Sequence, residues 1–289
     1  MGKVVTVMNM KGGVGKTTVS MNIGGAVGHY KWKDKPTRKV LLIDYDPQFN
    51  LSQGCLAAAD YFSLEKNGKT VMSVLQDNSV NLNPYKLQVP GSSSPPKVAD
   101  LARTVLASSS GGRLDLVPST LDLMYVALGR ADAHISIIED RFSNFISEAR
   151  SIYDLIIIDC HPAGSLLTKT ALSNSDHVLI PVVPEGYAVR GIGLMLDFIN
   201  SKKVGVNGPQ PQILFNRVPR SGVTPEEYAI RSDKKFSPFC MTGTLKKYSA
   251  FAAPVGGTGF VWNSSKPYSH EAKRNLTSVA RELTDRMGL

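Results

Sequence analysis

The chain has 289 residues, of which 42% are hydrophobic and 20% are charged. This balance provides a large buried core and excludes general disorder, which requires low hydrophobicity and high net charge. The three cysteines, Cys55, Cys160 and Cys240, lie far apart, which excludes a disulfide framework and a CxxC metal site. No apolar run approaches the roughly 20 residues that span a bilayer, and the N-terminus is not a signal peptide. We therefore expect a soluble cytoplasmic protein with a single domain over residues 1–289.

The net charge of +9 is concentrated in the last third of the chain. Residues 200–289 contain 14 Lys/Arg and 6 Asp/Glu, whereas residues 1–199 contain 19 and 18. Such asymmetry favours a polyanionic partner, either nucleic acid or a membrane surface, although a basic surface can also serve solubility alone.

Apolar segments of strand length alternate with segments of helical length. The predicted strands are Val4–Met8, Val40–Ile43, Leu114–Val117, Leu155–Ile158, His177–Val182 and Ile213–Phe215. The predicted helices are Lys16–Tyr30, Leu121–Asp132, Ile135–Ile152, Ser165–Leu172, Val189–Asn200 and His270–Met287. Continuous Val/Ile/Leu runs are typical of strands buried on both faces of a parallel sheet. The pattern therefore predicts an α/β protein with a doubly wound, mostly parallel sheet.

Two segments interrupt this alternation. Residues 31–39 (KWKDKPTRK) form a basic excursion that contains a proline. Residues 88–112 contain GSSSPP and SSSGG, and this composition predicts a surface insertion around one short helix, Val98–Ala107.

The strongest motif is KGGVGKTT, which follows the first predicted strand and opens the first helix. Glycines let backbone N–H groups approach phosphate oxygens, a lysine reaches the β- and γ-phosphates, and a hydroxyl holds Mg²⁺. The motif therefore predicts a P-loop for ATP, in a variant form that has Met10 where the general pattern has its first glycine. Its residues are Lys11, Gly12, Gly13, Val14, Gly15, Lys16, Thr17 and Thr18.

Carboxylates follow two other predicted strands. Asp44 and Asp46 end the strand in LLIDYDPQFN, and Asp159 ends the one in YDLIIIDCHP. Ligands of open α/β sheets bind at the carboxyl ends of the strands, where a carboxylate beside a P-loop can hold Mg²⁺.

Together with PVVPEGYAVRGIG, these motifs resemble those of the ParA-type ATPases, which belong to the deviant Walker A group of P-loop proteins. The resemblance extends from about Val4 to the C-terminal helix. It implies a dimer of two identical subunits that encloses ATP and Mg²⁺ and hydrolyses ATP weakly.

The resemblance also implies a role for each site residue. Lys11 is the signature lysine that enters the partner's nucleotide site, Lys16 binds phosphate, and Asp46 positions the attacking water. Thr17 and Asp159 hold the magnesium. Glu185 and Asn216 lie near the ribose and adenine.

Paired cations recur in the basic third without any base-reading motif. This favours contacts to DNA phosphates rather than sequence recognition, although any single pair is also compatible with a solvated surface. The candidates are Arg217, Arg220, Lys246, Lys247, Lys273 and Arg274, with Lys234 and Lys235 as a further pair.

The chain departs from the family pattern at His161, where relatives usually have proline; the histidine is either a packed substitute or a pH-sensitive group. Related branches fit less well. The iron–sulfur branches need cysteine pairs, which the three cysteines here do not provide. The MinD branch ends in a membrane-seeking helix, whereas charges are spread through the last helix here, so we expect no membrane binding. The anion-pump branch is duplicated or carries thiol sites, and this sequence shows neither.

Three functions remain open at this point. The resemblance implies DNA partition with a ParB-like centromere-binding partner on the nucleoid. The same ATPase cycle could instead position a protein cargo through an adaptor, or the chain could be an inactive DNA-coating module.

Overall fold

The computed structural model describes residues 1–32, 35–77, 94–128, 132–161, 165–186, 188–201, 208–251 and 259–289. Its centre is an eight-stranded sheet formed by β1 (Lys3–Val7), β2 (Lys39–Tyr45), β3 (Arg103–Ala107), β4 (Arg113–Val117), β5 (Leu155–Cys160), β6 (His177–Val182), β7 (Gln210–Val218) and β8 (Leu245–Lys246). The strand order is β3-β4-β2-β5-β1-β6-β7-β8. Neighbouring strands are parallel except β3 and β4, which are antiparallel.

Helices cover both faces of the sheet. They are α1 (Lys16–His29), α2 (Asn50–Cys55), α3 (Ala58–Lys66), α4 (Met72–Leu75), α5 (Val98–Leu101), α6 (Leu123–Leu128), α7 (Asp132–Ile152), α8 (Leu166–Ser173), α9 (Ala188–Ser201), α10 (Pro225–Ser232) and α11 (Ser269–Arg286). One core packs under α1, α2, α3 and α11, and the other packs under α4 to α10. Alternate strand residues enter opposite cores, so Leu41 and Leu42 of β2 are both fully buried on different faces.

The sheet register brings the chemistry-bearing strand ends together. Asp159 of β5 is paired with Val7 of β1 on one side and with Asp44 of β2 on the other. Because parallel strands end at the same edge, the residues after β1 lie beside both carboxylates.

The predicted parallel-sheet fold is confirmed, and each of the six predicted strands is present with its ends shifted by at most a few residues. The C-terminal helix also agrees, since Leu276, Val279, Ala280 and Leu283 are all buried on one side of it. Within the described ranges, four helices that the sequence did not predict are present, namely α2, α3, α4 and α10, and so is the two-residue strand β8.

The predicted helix Val98–Ala107 is wrong. A single helical turn ends at Leu101, and Arg103–Ala107 forms β3, which pairs with β4 through a turn at Ser108–Gly112. Gly111 supplies the positive φ of +90° that this turn requires. The segment is therefore an edge hairpin of the sheet, while residues 88–93 lie outside the described part of the chain.

The predicted helix Leu121–Asp132 is shorter than expected. The structure has α6 over Leu123–Leu128, and α7 begins at Asp132, three residues before the predicted start of the next helix. Residues 129–131 between them lie outside the described residues.

The basic excursion after α1 packs against the C-terminal helix. Trp32 is buried and pairs with Lys35, whose ammonium group donates to Asp285 and to the Leu289 carbonyl. Residues 33 and 34 lie outside the described residues.

Candidate nucleotide site

The loop between β1 and α1 has the backbone shape of a phosphate cradle. Gly13 and Gly15 have φ values of +75° and +87°, a region that glycine occupies without strain. A Cβ atom at Gly12 or Gly13 would meet nothing within 4 Å, so the loop faces open space. With the N-terminus of α1 directly behind it, the loop can direct N–H groups and the positive end of the helix dipole at an anion.

Two asparagines fix this loop from opposite sides. The Asn9 amide donates to the Pro181 carbonyl at 2.7 Å, and Asn9 Oδ1 accepts from the Lys11 backbone N–H at 2.9 Å. The Asn216 amide donates to the Val14 carbonyl at 2.8 Å. The loop is therefore held in shape by β6 and β7.

Asp159 and Thr17 form a site suited to magnesium. The carboxylate accepts from the Thr17 hydroxyl and from Ser20 Oγ, the latter at 2.9 Å. Burial raises the pKa of Asp159 to about 6, and these hydrogen bonds oppose the rise. A bound cation would favour the ionised form further. Mg²⁺ needs only one or two protein oxygens because phosphates and waters complete its shell, so the two residues fit this ion.

Asp44 and Asp46 lie on the other side of Asp159. Burial, and then the charge of Asp159, raise the pKa of Asp44 to about 8, although Ser52 donates two hydrogen bonds to it. The charge of Asp46 also raises the pKa of both neighbouring carboxyls. The three carboxylates predicted at this edge are therefore brought together, and Asp46 is the least buried of them.

Lys11 lies at the mouth of the site and pairs with Glu185. Its Nζ donates to Glu185 Oε2 at 2.7 Å, and the side chains are 56% and 61% exposed. The hydrogen bond from Lys11 lowers the pKa of the Glu185 carboxyl, and the charge of Arg217 adds to this effect. An exposed pair of this kind contributes little stability and is readily exchanged for another partner.

A cleft of about 1230 Å³ opens from the loop. Among the described residues that line it, Glu185 is the only acidic one, against five cations: Lys11, Arg217, Arg220, Lys246 and Lys247. Asn216 also lines it, together with Tyr248, Phe251 and Tyr268. Such a cleft suits a polyanion that carries an aromatic ring.

The predicted DNA-binding residues fall into two groups. Arg217, Arg220, Lys246 and Lys247 form part of the cleft wall, where β8 pairs with β7 at Asn216 and Val218. Lys273 and Arg274 lie outside the cleft lining on α11, where the Lys273 ammonium is 4.8 Å from the centre of the Tyr30 ring. Lys235 is paired with Asp197 of α9 at 3.2 Å, and its neighbour Lys234 is exposed.

Several site residues carry no signal that sequence reasoning could use. Asn9, Ser20 and Ser52 act through one or two hydrogen bonds each to a loop or a carboxylate. Their partners lie up to 172 positions away. The sequence predicts the strands that precede Asn9 and Ser52, but it does not predict which polar residue after each strand makes these hydrogen bonds.

Comparison with known proteins identifies the family. A family model described as an AAA domain matches residues 2–208. The chromosome-partitioning ATPase Soj of Treponema pallidum is 29% identical over 210 residues, which are 72% of this chain and 67% of that protein. The chain belongs to the ParA-type partition ATPases.

Solved structures share the ParA-type fold at low identity. A plasmid partition protein from Borrelia burgdorferi, bound to AMPPNP, has a TM-score of 0.68 and 20% identity, covering 98% of this chain and 100% of its own. pNOB8 ParA bound to nonspecific DNA has a TM-score of 0.65 and 19% identity, with coverages of 100% and 99%. The expected P-loop fold is thus confirmed. Among the helices in the described ranges, none is both long and apolar enough to cross a bilayer.

Proposed function

We propose that this ParA-type ATPase binds ATP with Mg²⁺, dimerises around the nucleotide and then binds DNA without sequence preference. In this proposal a ParB-like centromere-binding protein stimulates slow ATP hydrolysis, and the cycle drives plasmid or chromosome partition on the nucleoid. The observation that carries the proposal is Lys11, which lies at the mouth of the cleft in an exposed pair.

The nucleotide-binding part of the proposal rests on the phosphate cradle. The backbone N–H groups of residues 12–18 and the Lys16 ammonium are assigned to the phosphates, and Thr17 and Asp159 are assigned to Mg²⁺. Magnesium, when bound, neutralises negative charge on the phosphates. Glu185 and Asn216 are assigned to the ribose and adenine, since both line the same cleft.

The proposed hydrolysis rests on Asp46. Its Oδ1 accepts from the Gln48 N–H at 2.9 Å, and its Oδ2 has no hydrogen-bond partner among the described residues. A carboxylate held in this way can accept a hydrogen bond from water and orient it towards the γ-phosphate. Catalysis of phosphoryl transfer depends mainly on such positioning and on charge neutralisation, which Lys11 of a second subunit would complete.

The proposed DNA binding rests on the excess of cations around the cleft and on α11. Binding through phosphates alone needs no base contacts, and dimerisation doubles the number of available cations. The pNOB8 ParA structure with nonspecific DNA supports this class of ligand for a protein of the same fold.

The decisive test is Lys11→Ala, with Lys66→Ala as the matched control because Lys66 is an exposed lysine on α3. We expect Lys11→Ala to retain most of its ATP affinity, to remain monomeric with ATP in light scattering, and to hydrolyse ATP more slowly. The control should dimerise like the parent protein. A Lys11→Ala protein that dimerises normally with ATP would refute the proposed role of this lysine.

A further inference from the structure

A buried chain of hydrogen bonds links the carboxylate of Asp44 to the main chain of Asp46. Ser52 donates to Asp44 Oδ2 twice, from its N–H at 2.8 Å and from its Oγ at 2.6 Å. The Ser119 N–H donates to Ser52 Oγ at 2.9 Å. Finally, the Ser119 hydroxyl donates to the Asp46 carbonyl at 2.7 Å.

The hydrogen bonds run in one direction when Asp44 is ionised. A carboxylate can only accept, so the Ser52 hydroxyl donates to Asp44 while its oxygen accepts from the Ser119 N–H. The Asp46 carbonyl has no hydrogen and must accept from Ser119. Asp44, Ser52 and Ser119 are all fully buried, so water does not compete for these groups.

The chain of bonds joins three segments that are distant in sequence. Asp44 is at the end of β2, Ser52 is in α2, and Ser119 is two residues beyond the end of β4. The turn that follows Asp46 is closed by the Phe49 N–H, which also donates to the Asp46 carbonyl at 2.9 Å. Two donors on this one carbonyl fix the peptide plane next to the Cα atom that carries the Asp46 side chain.

We propose that Ser52 and Ser119 are positioning residues for ATP hydrolysis, which hold Asp46 where its carboxylate can orient the attacking water. This inference rests on the proposed role of Asp46. A displacement of a catalytic group by about 1 Å can cost on the order of a hundredfold in rate, so fixing one peptide plane has a measurable effect.

The test variant is Ser119→Ala in the full chain. It removes only the hydrogen bond to the Asp46 carbonyl. The hydrogen bond to Ser52 Oγ is donated by the Ser119 backbone N–H, so it persists in the variant. We expect ATP hydrolysis to fall by about tenfold while ATP affinity changes by less than twofold, which separates positioning from binding. Ser119→Thr keeps the hydroxyl and should restore most of the rate.

The matched control is Thr284→Val, which removes another buried hydroxyl that donates to a backbone carbonyl, that of Arg281 on α11. It should hydrolyse ATP at the parental rate. If Ser119→Ala folds poorly, Ser119→Cys tests the same point, since it fills the space with a weaker donor and should give an intermediate rate.

The outcomes separate this inference from the proposed function. Parental hydrolysis by Ser119→Ala overturns the inference, as does a parallel loss of ATP affinity or failure of Ser119→Thr to restore the rate. Parental hydrolysis by Asp46→Ala would instead overturn the assignment of Asp46 itself. A slow Asp46→Ala together with a slow, ATP-binding Ser119→Ala supports both.

Discussion

The three glycines of the phosphate cradle allow a graded test of backbone strain. At Gly12 the φ is not positive and an added Cβ would have no neighbour within 4 Å, whereas Gly13 has φ +75° with open space. Gly15 has φ +87°, and an added Cβ would lie 2.7 Å from the Asn216 amide nitrogen. Alanine therefore introduces no strain and no clash at Gly12, backbone strain alone at Gly13, and backbone strain with a steric clash at Gly15. We expect stability to fall in that order.

The magnitudes follow from these geometries. Gly12→Ala should leave stability unchanged or raise it slightly, because alanine lowers the entropy of the unfolded chain. Gly13→Ala should cost about 1–2 kcal/mol, the penalty of a left-handed conformation for an L-residue. Gly15→Ala should cost about 2–3 kcal/mol, because it also displaces the Asn216 amide from its bond to Val14.

Urea unfolding of the nucleotide-free protein measures this series without interference from phosphate binding. The thermal midpoint of Gly15→Ala should fall by roughly 5 °C or more in a protein of this size. ATP affinity of the same variant should fall as well, since Asn216 lines the cleft. Equal stability of the Gly12→Ala and Gly15→Ala proteins would refute the reasoning.

Two further predictions concern charge. Arg274 lies on α11 outside the cleft, and Arg274→Glu should weaken ATP-dependent DNA binding in filter assays while ATP affinity is unchanged. The magnitude of the slope of log DNA affinity against log salt concentration should fall by about 1. An unaltered slope argues against a phosphate contact. Although burial opposes its ionisation, hydrogen bonds from Arg150 at 2.7 Å and from the Val4 N–H lower the pKa of Asp176. These bonds stabilise the folded protein at pH values above about 4, the pKa of this carboxyl in the unfolded chain, and the stabilisation is lost as the pH falls through the lower pKa of the folded state. Asp176→Asn should therefore cost about 1–2 kcal/mol at pH 7 and less at pH 3. Urea unfolding at both pH values checks this, and an equal penalty at both would contradict it.

The central strands and the cradle could be predicted because their signals are local. A run such as LIIID is predicted to be a buried parallel strand, because a glycine motif and a helix follow the first strand of the chain. The carboxylate at the end of such a run then lies at the edge of the sheet where ligands bind. The order of the strands then decides which loops become neighbours.

The remaining features depend on contacts between distant segments. Arg103–Ala107 becomes a strand because β4 provides an edge for it to pair with, and helical reasoning on the segment alone misses this. Ser52 and Ser119 are 67 positions apart, and a lone serine has no periodicity to read. Charge alone predicts DNA contacts for Arg217 and Lys246, whereas the pairing of β7 with β8 places both on the cleft wall.

The two ends of the sheet have a consequence for self-association. In the described part of the chain, the sheet ends on one side in β3, which is interrupted by a bulge between Thr104 and Leu106. On the other side it ends in β8, which has two residues. Bulged and very short edge strands offer little unpaired main chain for another molecule to extend, a common protection against aggregation. Pairing of two copies sheet to sheet is therefore disfavoured at both edges, which leaves side-chain surfaces for contacts between copies.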